Sequence, residues 1–197
     1  MFQLGKNQRE GINWVENVFN VLSVKEASTA GKLPIGMAQK TSLICVLNVA
    51  QSMRLKLDAA KAFLSSFLAQ KMINSKTFEL GVVAYGADVT SNHLNRVDAD
   101  QYVGVNTVVE LETPTVHTLR NIRDISISQS DPSQPPDIID GIVVGYNILE
   151  LIGKKKCNRL LLVVTDGEEK IDGVADLEAI VNRMVLYSTH TTYFCSF

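Results

Sequence analysis

Residues 40–53 read KTSLICVLNVAQSM, an apolar run that ends in a turn of small and polar residues. Within it, Ser42–Val49 has the composition of a strand that is buried on both faces, which is typical of the centre of a parallel sheet. A similar run, NRLLLVVT at residues 158–165, is followed by Asp166 and Gly167. In parallel sheets, ligands bind at the carboxyl ends of the strands. We therefore expect ligand-binding residues in the loops after Val49 and Thr165.

The chain around these runs alternates between helical and strand patterns. Apolar spacing predicts further elements in this order: helix 55–73, strand 78–85, strand 103–111, helix 115–123, helix 138–152, helix 174–184 and strand 189–197. A long polar hairpin joins the strands 78–85 and 103–111, so the second of them can run antiparallel. In the helix 138–152, Gly141 and Gly145 lie one turn apart, which favours close packing on a sheet over helix association in a membrane. The prediction is an α/β fold with a mostly parallel central sheet, one antiparallel edge strand and helices on both faces.

Composition limits the possible functions. The 197 residues are 46% hydrophobic and 20% charged, which is ordinary for one globular domain. The formal net charge of −2 lacks the basic surface of an autonomous nucleic-acid-binding protein. Three cysteines, Cys45, Cys157 and Cys195, show no C-x-x-C spacing and indicate a reducing, intracellular location. No leader or membrane-spanning run is recognisable, so the sequence predicts a soluble protein that is not secreted.

The first 36 residues differ in character from the rest. A short amphipathic helix is predicted over residues 11–22, followed by a linker over residues 23–36 with two glycines and a proline. We expect the apolar stripe of this helix to bind a groove as a partner-binding peptide; its residues are Ile12, Trp14, Val15, Phe19 and Leu22. The sequence thus divides into 1–36, an extension or a fused partner peptide, and 37–197, the α/β domain.

Catalytic motifs are missing from the sequence. It has no G-x-S-x-G, no G-x-x-x-x-G-K-[ST] and no G-x-G-x-x-G after a strand. The three histidines are far from one another in the sequence, at His93, His117 and His190. An isolated histidine is more often a surface residue or a hydrogen-bonded core residue than a catalyst. The run Lys154–Lys156 with Arg159 is either a solvated turn after a helix C-terminus or a contact for phosphate or an acidic partner. The sequence predicts a protein that is not an enzyme.

Three segments together resemble the von Willebrand factor A domain. Within that superfamily, the chain is most similar to the N-terminal domain of the large subunit of the Ku heterodimer. The resemblance spans residues 38–197, and the segments that carry it are KTSLICVLNVAQSM at 40–53, DQYVGVNTVVELETPTVHTLRNI at 100–122 and IVVGYNILELIGKKKCNRLLLVVTDGE at 142–168. It implies a Rossmann-like A domain.

The resemblance also directs attention to the metal site of A domains. That site uses D-x-S-x-S after the first strand and an aspartate in the T-D-G turn, because a hard cation prefers oxygen ligands with carboxylate charge. Here Asn48 and Ala50 replace the aspartate and the first serine, and only Ser52 and Asp166 keep the expected chemistry. We therefore expect a degenerate site that holds no metal, and no other cofactor. Asp166 is expected to accept backbone N–H bonds in its turn.

In function, the resemblance implies a non-catalytic protein-interaction domain of the nuclear Ku complex. That complex binds DNA ends in end joining and also acts at telomeres. The implied partners are the small Ku subunit, and end-joining or telomeric factors that carry short Ku-binding peptides. Double-stranded DNA ends would be bound only through the rest of the heterodimer, and no membrane contact is expected. Two alternatives remain open at this point: a metal-dependent ligand-binding A domain of another intracellular complex, and a nucleotide-dependent enzyme.

Overall fold

A computed structural model describes residues 40–130, 136–152 and 157–167, together with the backbone of 190–196. Five strands and three helices are assigned in this part of the chain. Their bounds are β1 Lys40–Asn48, α1 Leu57–Asn74, β2 Phe78–Tyr85, β3 Val105–Glu112, α2 Val116–Asp124, α3 Ile138–Leu151, β4 Cys157–Thr165 and β5 His190–Ser196. The predicted N-terminal helix, the predicted helix 174–184 and the Lys154–Lys156 run lie outside the described residues.

The strands form one sheet in the order β3-β2-β1-β4-β5. β1 pairs in parallel with both β2 and β4, and β4 pairs in parallel with β5. β3 pairs antiparallel with β2 and has two register irregularities. The predicted architecture is confirmed: the sheet is mostly parallel, β1 is its central strand, and β3 is its antiparallel edge.

β1 has an apolar core on each of its faces. On one face, Leu43, Cys45 and Leu47 pack with residues of α1 and with Ile122 of α2. On the other face, Ile44 and Val46 pack with residues of α3. Each fully buried aliphatic side chain contributes about 1.5–3 kcal/mol relative to an exposed one. This double burial explains why β1 reads as a continuous apolar run.

The contact between α3 and the sheet depends on Gly141 and Gly145. A Cβ on Gly145 would lie 2.8 Å from Val46 Cγ2, and one on Gly141 would lie 3.0 Å from Tyr85 Cβ. The backbone of α3 therefore approaches the sheet so closely that a larger residue at Gly145 would force α3 or its neighbours to shift. This confirms the sheet-packing interpretation of the two glycines. Among the described helices, none has the length and apolar character needed to cross a bilayer.

The helix predicted from residue 55 begins later than expected. A 3-10 turn occupies Gln51–Leu55, and α1 starts at Leu57. The Lys56 N–H donates to the Met53 carbonyl at 2.8 Å, and the Met53 side chain is fully buried. Burial of Met53 thus fixes a tight turn directly after β1, where the apolar spacing alone indicated the first turn of a helix.

Candidate functional site

Asn48 ends β1 at the edge of the sheet where the A-domain metal site is expected. Its side chain is fully buried. Its Oδ1 accepts a hydrogen bond from the Ala50 N–H at 2.8 Å, and its Nδ2 faces Asp166 Oδ1 at 3.5 Å. The amide oxygen is thus used within the chain's own turn, and an N–H group points at the carboxylate.

The T-D-G turn after β4 supplies the opposite side of this cluster. Asp166 is buried, and its Oδ1 also lies 3.5 Å from the Thr165 hydroxyl. The Gly167 N–H donates to Thr165 Oγ1 at 3.1 Å. The acceptor for this amide is Thr165, and the backbone N–H bonds expected for Asp166 stay a prediction, because the residues that follow Gly167 lie outside the described part of the chain. Gly167 has a φ of 73°, in the left-handed region that favours glycine.

The structure brings together only some of the residues at the positions of the A-domain metal site. Asn48, Ala50 and Asp166 are in contact through the bonds above, whereas Ser52 lies in the 3-10 turn with an exposed side chain. Magnesium and calcium require six or more oxygen ligands. This cluster offers one carboxylate that faces an amide N–H, a donor set that does not fit such a cation. Within the described residues, no three His, Cys, Asp or Glu side chains group as metal ligands.

The segment 125–130, here called the strap, crosses the carboxyl ends of β1 and β2. The Ser128 N–H donates to the Val49 carbonyl at 2.8 Å, and the Gln51 side-chain amide donates to the Ser128 carbonyl. At the start of the strap, Lys61 Nζ donates to the Ile125 carbonyl at 2.8 Å. Hydrogen bonds with Val49 just after β1, with the 3-10 turn and with α1 therefore fix the strap.

Asp88 holds the other end of the strap. Its Oδ1 accepts from Ser128 Oγ at 2.5 Å and from Ser130 Oγ at 2.6 Å, and its oxygens also accept from the Gln129 and Ser130 N–H groups. These bonds, led by the one from Ser128, lower the pKa of Asp88 to about 2. The sequence indicated only a polar loop from residue 128. The sequence features that could have indicated this contact are the two alternating serines, Ser128 and Ser130, and an aspartate, Asp88, shortly after a predicted strand.

A groove of about 470 Å³ lies between the strap, α2 and β3. Its apolar lining residues are Val49, Ala84, Ala87, Val89, Val108 and Ile125. Asp88 and Asp124 are its acidic residues, and both are exposed. The buried Thr107 Oγ1 has no hydrogen-bond partner among the described residues. The position and lining of this groove were not predicted, because segments far apart in sequence form it.

The N-terminus of α3 is a second acidic position. Asp137 is its N-cap and accepts from the Ile139 and Asp140 N–H groups at 2.8 and 3.4 Å. Desolvation by burial, and to a lesser extent the charge of Asp137, raises the pKa of Asp140 to about 6. Pro136, just before this cap, packs against Gly86, which has a φ of 70°. The start of α3 is therefore anchored at the same edge of the sheet.

His93 and His117 each contact an asparagine side chain. His93 Nε2 bonds to Asn147 Oδ1 of α3, and His117 Nδ1 lies 3.3 Å from Asn121 Nδ2. Of His190, the structure describes the backbone alone. The predicted partner-binding residues all precede the described part of the chain; they are Ile12, Trp14, Val15, Phe19 and Leu22.

Comparison with known proteins identifies relatives of this domain. "ATP-dependent DNA helicase II subunit 2" of Chaetomium globosum is 34% identical over 110 residues, which are 55% of this chain and 14% of that protein. The protein of the same name from Neurospora crassa is 35% identical over 100 residues, covering 49% and 13%. "ATP-dependent DNA helicase 2 subunit KU80" of Oryza sativa subsp. japonica is 26% identical over 133 residues, covering 67% and 19%. The matches thus span less than a fifth of each relative.

A family model gives the wider assignment. The model of the Ku70/Ku80 N-terminal alpha/beta domain matches residues 41–184, well over half of the chain. This range begins in β1 and includes the degenerate metal position, the strap and the groove. The chain belongs to the family of Ku70/Ku80 N-terminal alpha/beta domains.

Proposed function

We propose that this domain is a non-catalytic interaction module of a nuclear Ku complex that acts in DNA end joining and telomere maintenance. The observation that carries this proposal is the contact between Asn48 and Asp166. Where an A domain would present a cation to a ligand, this domain has an internal amide–carboxylate contact. Binding of partners would then rely on shape and side-chain chemistry instead of a bound metal.

All three relatives described above bear names that describe an ATP-dependent DNA helicase. This chain has no G-x-x-x-x-G-K-[ST] motif, whose backbone amides and lysine hold nucleotide phosphates. We therefore expect no ATP hydrolysis by this domain, with or without DNA. An ATPase activity that co-purifies with the chain and is lost on mutation of Asp166 would instead favour the enzyme alternative.

DNA contact would come from the rest of the heterodimer with the small Ku subunit. The net charge of −2 provides little attraction for phosphates. The isolated chain should bind short duplex DNA only at the non-specific level, with a Kd of roughly 10⁻⁴–10⁻⁶ M at physiological salt. Submicromolar binding in a titration by fluorescence anisotropy would argue against an interaction module.

The decisive experiment is capture of partner proteins. The full chain and a version that begins at Met37 should be immobilised and exposed to purified end-joining and telomere factors. The proposal expects at least one factor to bind in the presence of a chelator, because no metal is needed. If every interaction requires magnesium, the metal-dependent alternative is correct; if no factor binds, the proposed function fails.

A further inference from the structure

We draw no further inference here: the strongest candidate, the open and partly apolar groove between the strap, α2 and β3, carries nothing further, because no feature in the described part of the chain shows what covers it.

Discussion

Asn48 and Asp166 face each other across the carboxyl ends of β1 and β4, with Asn48 Nδ2 3.5 Å from Asp166 Oδ1. Because the Asn48 oxygen accepts the Ala50 N–H, the amide can turn only its nitrogen toward the carboxylate. An N–H donor thereby stands at the place where a cation would bridge two acidic groups. The substitution of one residue type at the end of β1 converts a ligand position into part of the fold.

Magnesium should leave this domain unaffected. In 5 mM MgCl₂ the free energy of unfolding is expected to stay within about 0.5 kcal/mol of its value in a chelator, because a ligand stabilises only through affinity for the folded state. Asn48→Asp is the matched variant: it restores a second carboxylate, so it should be less stable without metal and should gain more from magnesium. A clear rise in the wild-type melting midpoint with magnesium would contradict this prediction.

Loss of the Asp88 carboxylate should loosen the strap. In Asp88→Asn, amide hydrogen exchange at Gln129 and Ser130 is expected to accelerate at least tenfold, because both N–H groups lose a charged acceptor. Asp100→Asn removes an exposed carboxylate from the connection between β2 and β3 and serves as the control. Unchanged exchange in Asp88→Asn would mean that the bonds to β1 and α1 fix the strap without it.

The contribution of the Asp88 carboxylate to the stability of the domain should depend on pH. Its pKa in the folded domain is about 2, below the ordinary value of 3.8, so the stabilisation it provides is complete above that ordinary value. This contribution is lost as the pH falls toward 2. Acid titration of stability should therefore be steeper between pH 4 and pH 2 in the wild type than in Asp88→Asn. Equal slopes would refute the assigned role of Asp88.

The sequence predicted the fold better than the site, for a physical reason. The strand Phe78–Tyr85 was placed correctly, because double burial produces continuous apolar runs that are local in sequence. The bonds from Asp88 to Ser128 and Ser130 join residues about 40 positions apart, and polar residues have no periodicity that would reveal such pairing. The Asn48 substitution was visible in the sequence, whereas the direction of its amide became apparent only from the contact with Ala50.

Asp140 should make the domain more stable in mild acid than at neutral pH. Burial raises its pKa to about 6 from 3.8, so its ionisation in the folded state costs free energy as the pH rises from about 4 through 6. Asp140→Asn removes this cost and should stabilise the domain at pH 7.5 by about 1 kcal/mol, a value reduced for its partial solvent exposure.

Asp137→Asn is the informative companion to that variant. Asparagine caps a helix about as well as aspartate, so α3 should remain intact while the neighbouring charge is removed. The pKa of Asp140, followed by NMR of its carboxyl carbon, should then fall toward its ordinary value but stay above it, because burial is the larger cause. A variant Asp140→Asn that is no more stable than the wild type at pH 7.5 would contradict the prediction, because ionised Asp140 would then not lower the stability of the folded domain.

Gly145→Ala should destabilise the domain, although alanine is the better helix former. The new methyl group would lie 2.8 Å from Val46 Cγ2 and 3.1 Å from both Ile44 Cγ2 and Leu161 Cδ1, so α3 or the sheet has to move. Overpacking of this kind costs about 1–3 kcal/mol, and the gain in helix propensity of about 1 kcal/mol offsets only part of it. A net loss of up to about 2 kcal/mol is expected in urea denaturation. Val46→Ala removes the closest methyl group, so the double variant Gly145→Ala/Val46→Ala should lose less stability than the sum of the two single changes. Strict additivity would show that α3 accommodates the extra methyl by shifting away from β1, and that the close approach at Gly145 is not required by packing.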